Sequence, residues 1–225
     1  MMANEVIRSE IDNRLLKYRG RGYMLAAADG KVFTFGDMAH HGDASSVSYP
    51  APITCASAKA DGSGYMLAAA DGKVFTFGDM AHHGEEILPI GSPSTVGVTI
   101  AGDGDGYWTC RADGGISQFG LIGFYGSLSG INLSAPVVAI SNSATRYGYL
   151  LLGSDGGVFT FGDSRFFGSM AGIRPNSHYV GILLAKDGSG YWMAGSRGEV
   201  SAMGNCCFMG SAQPLNYRAR IVAIV

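Results

Sequence analysis

From Tyr149 the chain runs Tyr-Leu-Leu-Leu-Gly-Ser, breaks at Asp155-Gly156, and resumes as Gly-Val-Phe-Thr-Phe-Gly. Two short apolar runs separated by Asp-Gly predict a β-hairpin, and the expected connection is a type I′ turn with positive φ at both central residues. The second run alternates. In the copy at Val32–Gly36, Val32, Thr34 and Gly36 fall on one face and Phe33 and Phe35 on the other, the period of a strand with different surroundings on its two sides. A third short run follows, as in Arg165–Gly168, and is expected to be a strand. A fourth precedes each hairpin: Ile53–Ser57, Thr95–Thr99, Val137–Ser141, Tyr179–Leu183 and Ile221–Val225.

This pattern repeats. Gly-Tyr recurs at 22–23, 64–65, 106–107, 148–149 and 190–191, always 42 residues apart, and residues 22–42 are identical to residues 64–84. Asp-Gly recurs at 29–30, 71–72 and 113–114, while Arg197-Gly198 keeps only the glycine. The middle column of the strand before each hairpin holds Cys55, Gly97, Ala139, Gly181 and Ala223, small residues suited to a strand crowded against its equivalents around an axis. Four strands in each of five units predict an all-β, five-bladed β-propeller over residues 21–225. One period before Ile53 stand Ile11, Asp12, Asn13 and Arg14, which do not fit the strand pattern. Ile221–Val225 do fit it. The C-terminal strand is therefore expected to complete the first blade and close the ring, removing an open edge. A solenoid is the rival architecture, but it wants polar caps, and this chain ends on an apolar strand.

Residues 1–20 lie outside the repeat. Ile7, Ile11, Leu15 and Tyr18 form a helical stripe, and Gly20 is placed to end such a helix. A lone helix of that length is marginal in water, so the stripe is expected to dock. Its destination is the propeller's own rim or an oligomer or larger particle, with disorder as the third option.

At residues 148–170 the run Gly-Tyr-Leu-Leu-Leu-Gly-Ser-Asp-Gly-Gly-Val-Phe-Thr-Phe-Gly-Asp-Ser-Arg-Phe-Phe-Gly-Ser-Met resembles the Gly-Tyr-Trp…Asp-Gly-Gly-Val-Phe…Phe-Gly-Asp repeats of actinobacterial surface and cell-wall-associated proteins. Similar repeats are expected in phages of those bacteria. The resemblance covers residues 21–225 and implies an extracellular, glycan-contacting propeller. The first two units depart from it with His40-His41 and His82-His83 where paired aromatics are usual.

Composition narrows the function. Charged residues are 15% of the chain, the formal net charge is −2, and no Lys/Arg block exists, so a nucleic-acid partner is not expected. Apolar stretches reach only about half of the roughly 20 residues needed to span a bilayer, so membrane insertion is not expected either. No apolar h-region follows Met1, so no secretory leader is expected. Cys55, Cys110, Cys206 and Cys207 occupy unmatched repeat positions and read as reduced, consistent with folding in a cytoplasm.

Adjacent histidines on a strand would point to opposite faces and could not share one metal ion. His40, His41, His82 and His83 therefore read as packing or surface replacements, with ligand contact as the alternative and no metal expected. The Asp-Gly-Ser-Gly loops at 61–64 and 187–190 read as turns, since no bidentate acid follows at calcium-loop spacing. Tyr23, Tyr65, Tyr107, Tyr149 and Tyr191 share one column and are expected to pack between blades. Segments 43–50, 85–92, 127–134, 169–176 and 211–218 vary most, which nominates Tyr49, Ile87, Asn132, Arg174, Asn176 and Tyr217 as ligand contacts. No catalytic motif or cofactor site is legible. The expected function is a non-enzymatic binding or structural module, foremost a phage virion protein (tail tip, fibre or capsid surface) contacting host envelope glycans or neighbouring virion proteins. A bacterial lectin-like or cell-wall-binding protein and a ligand-free spacer are the alternatives.

Overall fold

A computed structural model describes residues 22–102, 104–173 and 178–212. The described residues form five antiparallel sheets. The first holds two strands, β1 (Gly22–Ala26) and β2 (Val32–Gly36). The second holds β3 (Ile53–Ala58), β4 (Gly64–Ala69) and β5 (Val74–Gly78), in that order. The third holds β6 (Thr95–Ala101), β7 (Gly106–Arg111) and β8 (Ile116–Gly120), and the fourth β9 (Val137–Asn142), β10 (Gly148–Gly153) and β11 (Val158–Gly162). The fifth holds β12 (Tyr179–Leu184), β13 (Gly190–Gly195) and β14 (Val200–Gly204).

The lead strands β3, β6, β9 and β12 pack side by side in succession. The small-residue column explains how closely. A Cβ added to Gly97 would stand 2.7 Å from Ile140 Cγ2 and 3.1 Å from Ile140 N, so a larger residue there would force neighbouring strands apart. Side chains tie the same strands together: Thr54 Oγ1 donates to the carbonyl of Thr95 at 2.8 Å, and Asn142 Nδ2 donates to that of Ile100 at 3.1 Å. In each lead strand the register shifts at one residue (Thr54, Val96, Val138 and Val180), a β-bulge repeated at the period of the sequence. Backbone bonds link neighbouring sheets, as where the N–H of Thr95 donates to the carbonyl of Ala70 and that of Val137 to the carbonyl of Ala112, both at 2.9 Å.

The core lies between sheets. In β10, Tyr149 and Leu151 pack with Trp108 and Cys110 of the third sheet, while Leu150 and Leu152 pack with Ile182 and Met193 of the fifth. Alternate residues of one strand thus face opposite neighbours, which makes the middle strand apolar throughout.

Two expectations are corrected. The hairpins are where they were expected, but the turn is not type I′, because Asp29 does not have positive φ. The N–H of Ala27 donates to the carbonyl of Lys31 and the N–H of Gly30 to that of Ala27, with Gly30 at φ +87°. That is a three-residue loop ending in a left-handed glycine. Asp29 instead uses its carboxylate to accept from the N–H of Lys31.

The four-stranded blade is the second correction. The third short run, as at Arg165–Gly168, forms no strand. Two of its backbone groups, the N–H of Phe167 and the carbonyl of Gly168, bond instead to the hydroxyl of Tyr191 in the next unit. The C-terminal segment 221–225 and the stripe Ile7, Ile11, Leu15 and Tyr18 lie outside the described residues. On the first sheet Tyr23 is 53% exposed and Leu25 51%, whereas the equivalent Tyr65 and Leu67 are fully buried.

Candidate functional site

The tyrosine column is structural. The hydroxyl of Tyr107 accepts from the N–H of His83 at 3.2 Å and donates to the carbonyl of Gly84 at 2.6 Å. Tyr65 does the same with His41 and Gly42, Tyr149 with Tyr125 and Gly126, and Tyr191 with Phe167 and Gly168. The glycines of this bond have φ between +119° and +129°, a conformation other residues avoid. Among the described residues Tyr23 has no hydroxyl partner, although Gly210 already has φ +121°.

The histidine pairs divide by face, though they are not on strands. His41 and His83 turn inward, where Nε2 donates to the carbonyls of Gly62 at 2.9 Å and Gly104 at 2.7 Å. His40 and His82 lie on the surface beside Asp43 and Glu85, at 3.8 and 3.4 Å. Their unit equivalents Phe124, Phe166 and Phe208 are exposed too. No group of three or more metal-ligating side chains occurs among the described residues.

Of the other nominated contacts, Tyr49 lines a cleft of about 340 Å³ with Val47, Pro50 and Phe75, and its hydroxyl donates to Asp71 at 2.6 Å. Burial, then the bond to Asp71, pushes its phenol up to about 12. Ile87 and Asn132 are exposed. Arg174, Asn176 and Tyr217 lie outside the described residues.

A different opening collects chemistry that the repeat columns did not nominate. At the C-terminal ends of β3, β6, β9 and β12 lies a mouth of about 420 Å³. Three cations line it, Lys59, Arg146 and Lys186, together with the polar groups of Ser57, Thr99 and Ser141, and no described lining residue is acidic. Carboxylates stand at its rim: Asp79 pairs with Lys59 at 2.8 Å, and the Asp105 carboxylate lies beside Gly102. Arg146 has φ +65°, the sole non-glycine with positive φ among the described residues. Its equivalents are Gly62, Gly104 and Gly188, with φ +74°, +109° and +68°. The fourth unit thus puts a guanidinium at a left-handed turn position that the others fill with glycine, at a cost of roughly 1–2 kcal/mol. The sequence signal was available in Thr145-Arg146-Tyr147, which breaks the Asp-Gly pattern at 61–62, 103–104 and 187–188.

The cysteines form no disulfide. Burial pushes the Cys55 thiol up to about 12, and burial likewise raises Cys110. Cys207 is exposed. No helix among the described residues is long and apolar enough to cross a membrane.

No family model matches the chain, and no curated protein does either. Among solved structures it is similar to the β-propeller domain of Myceliophteria thermophila Cps50 (Swd1), at 11% identity and a TM-score of 0.59, over 91% of this chain and 72% of that one. At that identity the likeness speaks for the fold alone, and with the sheet succession above it makes this chain an all-β protein of β-propeller type.

Proposed function

We propose that this chain is a non-enzymatic binding module that holds an acidic glycan of a cell envelope in the mouth at the ends of its lead strands. The observation that carries this is Arg146. Backbone strain persists where it serves a site, and here it directs a third cation into an opening shared with Lys59 and Lys186. Cations beside hydroxyl and amide groups suit a ligand that is both charged and rich in hydroxyls.

The mouth belongs to a ring of five units, with Ile221–Val225 as the lead strand of the first sheet. The support is that, among the described residues, each end of the repeat array holds one half of a tyrosine bond: Tyr23 at one, Met209-Gly210 at the other. The setting is a phage virion surface, the protein attached through Ile7, Ile11, Leu15 and Tyr18. For this the support is the repeat resemblance at residues 148–170 and the helical stripe.

Purified protein on an array of envelope glycans tests the function. Binding should favour acidic glycans, weaken with added salt, and fall at least tenfold in Arg146→Gly and Lys186→Ala. Binding to none of the array, or equal binding by both variants, overturns it.

A further inference from the structure

A second cleft, of about 290 Å³, opens between the fourth and fifth units. Its walls are Ser143 and Thr145 from the β9–β10 connection, Asp163, Ser164 and Arg165 after β11, and Asp187 from the β12–β13 turn. One residue of the cleft is short where three other units carry a larger apolar side chain. The equivalents of Ser164 are Met38, Met80, Ile122 and Cys206. In the first two units the methionine sulfur reaches the neighbouring turn, Met38 Sδ standing 3.6 Å from a Cβ placed on Gly62 and Met80 Sδ 3.8 Å from one placed on Gly104. Met80 is 4% exposed and part of the core. At the equivalent Gly188 the nearest atom is Ala144 Cβ at 3.1 Å, and nothing from position 164 reaches it. A long apolar plug has been replaced by a short hydroxyl.

That hydroxyl is unsatisfied. Ser164 Oγ is shielded from solvent and has no hydrogen-bond partner among the described residues. A buried polar atom without a partner is costly, which marks position 164 as one whose chemistry packing alone does not explain. The surrounding groups say which kind of ligand suits the cleft. Thr145 Oγ1 donates to Asp163 and exchanges a bond with Ser143 Oγ at 3.0 Å, while Asp187 Oδ1 accepts from the N–H of Ser189 at 3.0 Å. Each of these carboxylates has a second oxygen left to accept with. Two carboxylates repel an anion, and Arg165 repels a bare cation. Neutral hydroxyl groups, which donate to carboxylates and accept from a guanidinium, satisfy both. The volume is at the lower edge of the range for small-molecule sites, about 300 Å³ upward.

We infer that this cleft is a subsite for a single neutral sugar residue, reached through hydrogen bonds of its hydroxyls to Asp163, Arg165 and Asp187, in the space that the short side chain of Ser164 leaves open. It rests on the glycan-binding function proposed above, but adjoins the mouth, with which it shares Ser143, Ala144 and Leu184, and takes a different, uncharged sugar.

The test is a titration of the full chain, followed by amide NMR shifts, with methyl glycosides of glucose, galactose, arabinose and N-acetylglucosamine, and separately with calcium chloride. At least one glycoside should give saturable shifts centred on Thr145, Ser164 and Asp187. Ser164→Met, which installs the side chain already present at positions 38 and 80, should weaken it more than tenfold, and Asp187→Asn should also weaken it. Unaltered glycoside binding in a folded Ser164→Met protein, shifts centred elsewhere, shifts with calcium alone, or no glycoside shifts overturns the subsite. Glycoside binding at the cleft together with no binding on the glycan array would instead remove the mouth and leave the cleft standing.

Discussion

The hydroxyl of Tyr65 lies between two backbone groups of the preceding unit, accepting from the N–H of His41 at 3.0 Å and donating to the carbonyl of Gly42 at 2.5 Å. One side chain replaces the hydrogen bonds that another strand would have made. It also joins each sheet to its neighbour at a point distant from the lead strands, so that neighbouring sheets are held at two places.

Removing the hydroxyl tests this arrangement and the ring together. Tyr149→Phe keeps the ring's packing against Trp108 and Phe161 but strands a buried N–H and carbonyl. The expected loss of stability is about 1–3 kcal/mol, read by chemical denaturation. Tyr23→Phe should cost a similar amount if Tyr23 bonds to Met209 and Gly210 across a closed ring. A cost near zero for Tyr23→Phe, beside a clear cost for Tyr149→Phe, would rule out the closure.

Arg146→Gly should separate stability from binding. Releasing the left-handed strain is worth roughly 1–2 kcal/mol, and the extra freedom of glycine in the unfolded chain takes back about 0.4–1 kcal/mol. On these backbone effects alone the variant should gain about 0.5–1 kcal/mol, read as a raised melting temperature, while losing glycan affinity. A less stable variant would show that Arg146 earns its place through structure.

Stability should fall at both ends of the pH range. The hydrogen bond from Lys31, then that from Ser45, holds the Asp43 carboxyl well below the usual range. Ser63 does the same for Asp61, Lys59 for Asp79 and Ser189 for Asp187. Burial pushes Glu85 up, but bonds from Lys73, the Val74 N–H and His82 together keep it low. These groups release protons more readily when folded, so their contribution is present above about pH 4 and is lost as pH falls through the folded values. Burial raises Tyr65, Tyr107, Tyr149 and Tyr191, which hold their protons longer when folded. Their contribution is present below about pH 10 and is lost as pH rises above it. Denaturation midpoints measured across pH should show a plateau between these limits.

Thiol labelling should be ordered by exposure. In the native protein Cys207 should react with a disulfide reagent first, and Cys110 only after unfolding, since burial keeps it a neutral thiol. Rapid native labelling of Cys110 would mean that the third and fourth sheets separate readily.

Much of the site was legible only as an irregularity. The columns that repeat most faithfully, such as Tyr65 and Gly97, proved to be packing devices. The variable segments nominated Tyr49, Ile87 and Asn132, which line no part of the mouth. Its three cations, Lys59, Arg146 and Lys186, sit in the connections that follow the lead strands. Arg146 stands out only when the fourth unit's Thr145-Arg146-Tyr147 is set against Asp103-Gly104-Asp105 and Asp187-Gly188-Ser189 in its neighbours. Ser164 was harder still, because a serine in place of methionine has no meaning until the cavity it leaves is seen.

The amino-acid sequence by itself determined the period, the hairpins, the alternation along β2 and the small-residue column, since each follows from local stereochemistry repeated every 42 residues. Tertiary structure alone decided that the third run would not be a strand, because its backbone partners come from a tyrosine 24 residues away in the next unit. It also decided which side chains meet at the mouth and the cleft. Those neighbours are brought together by the packing of whole sheets against one another, and no pattern within a single unit encodes that contact.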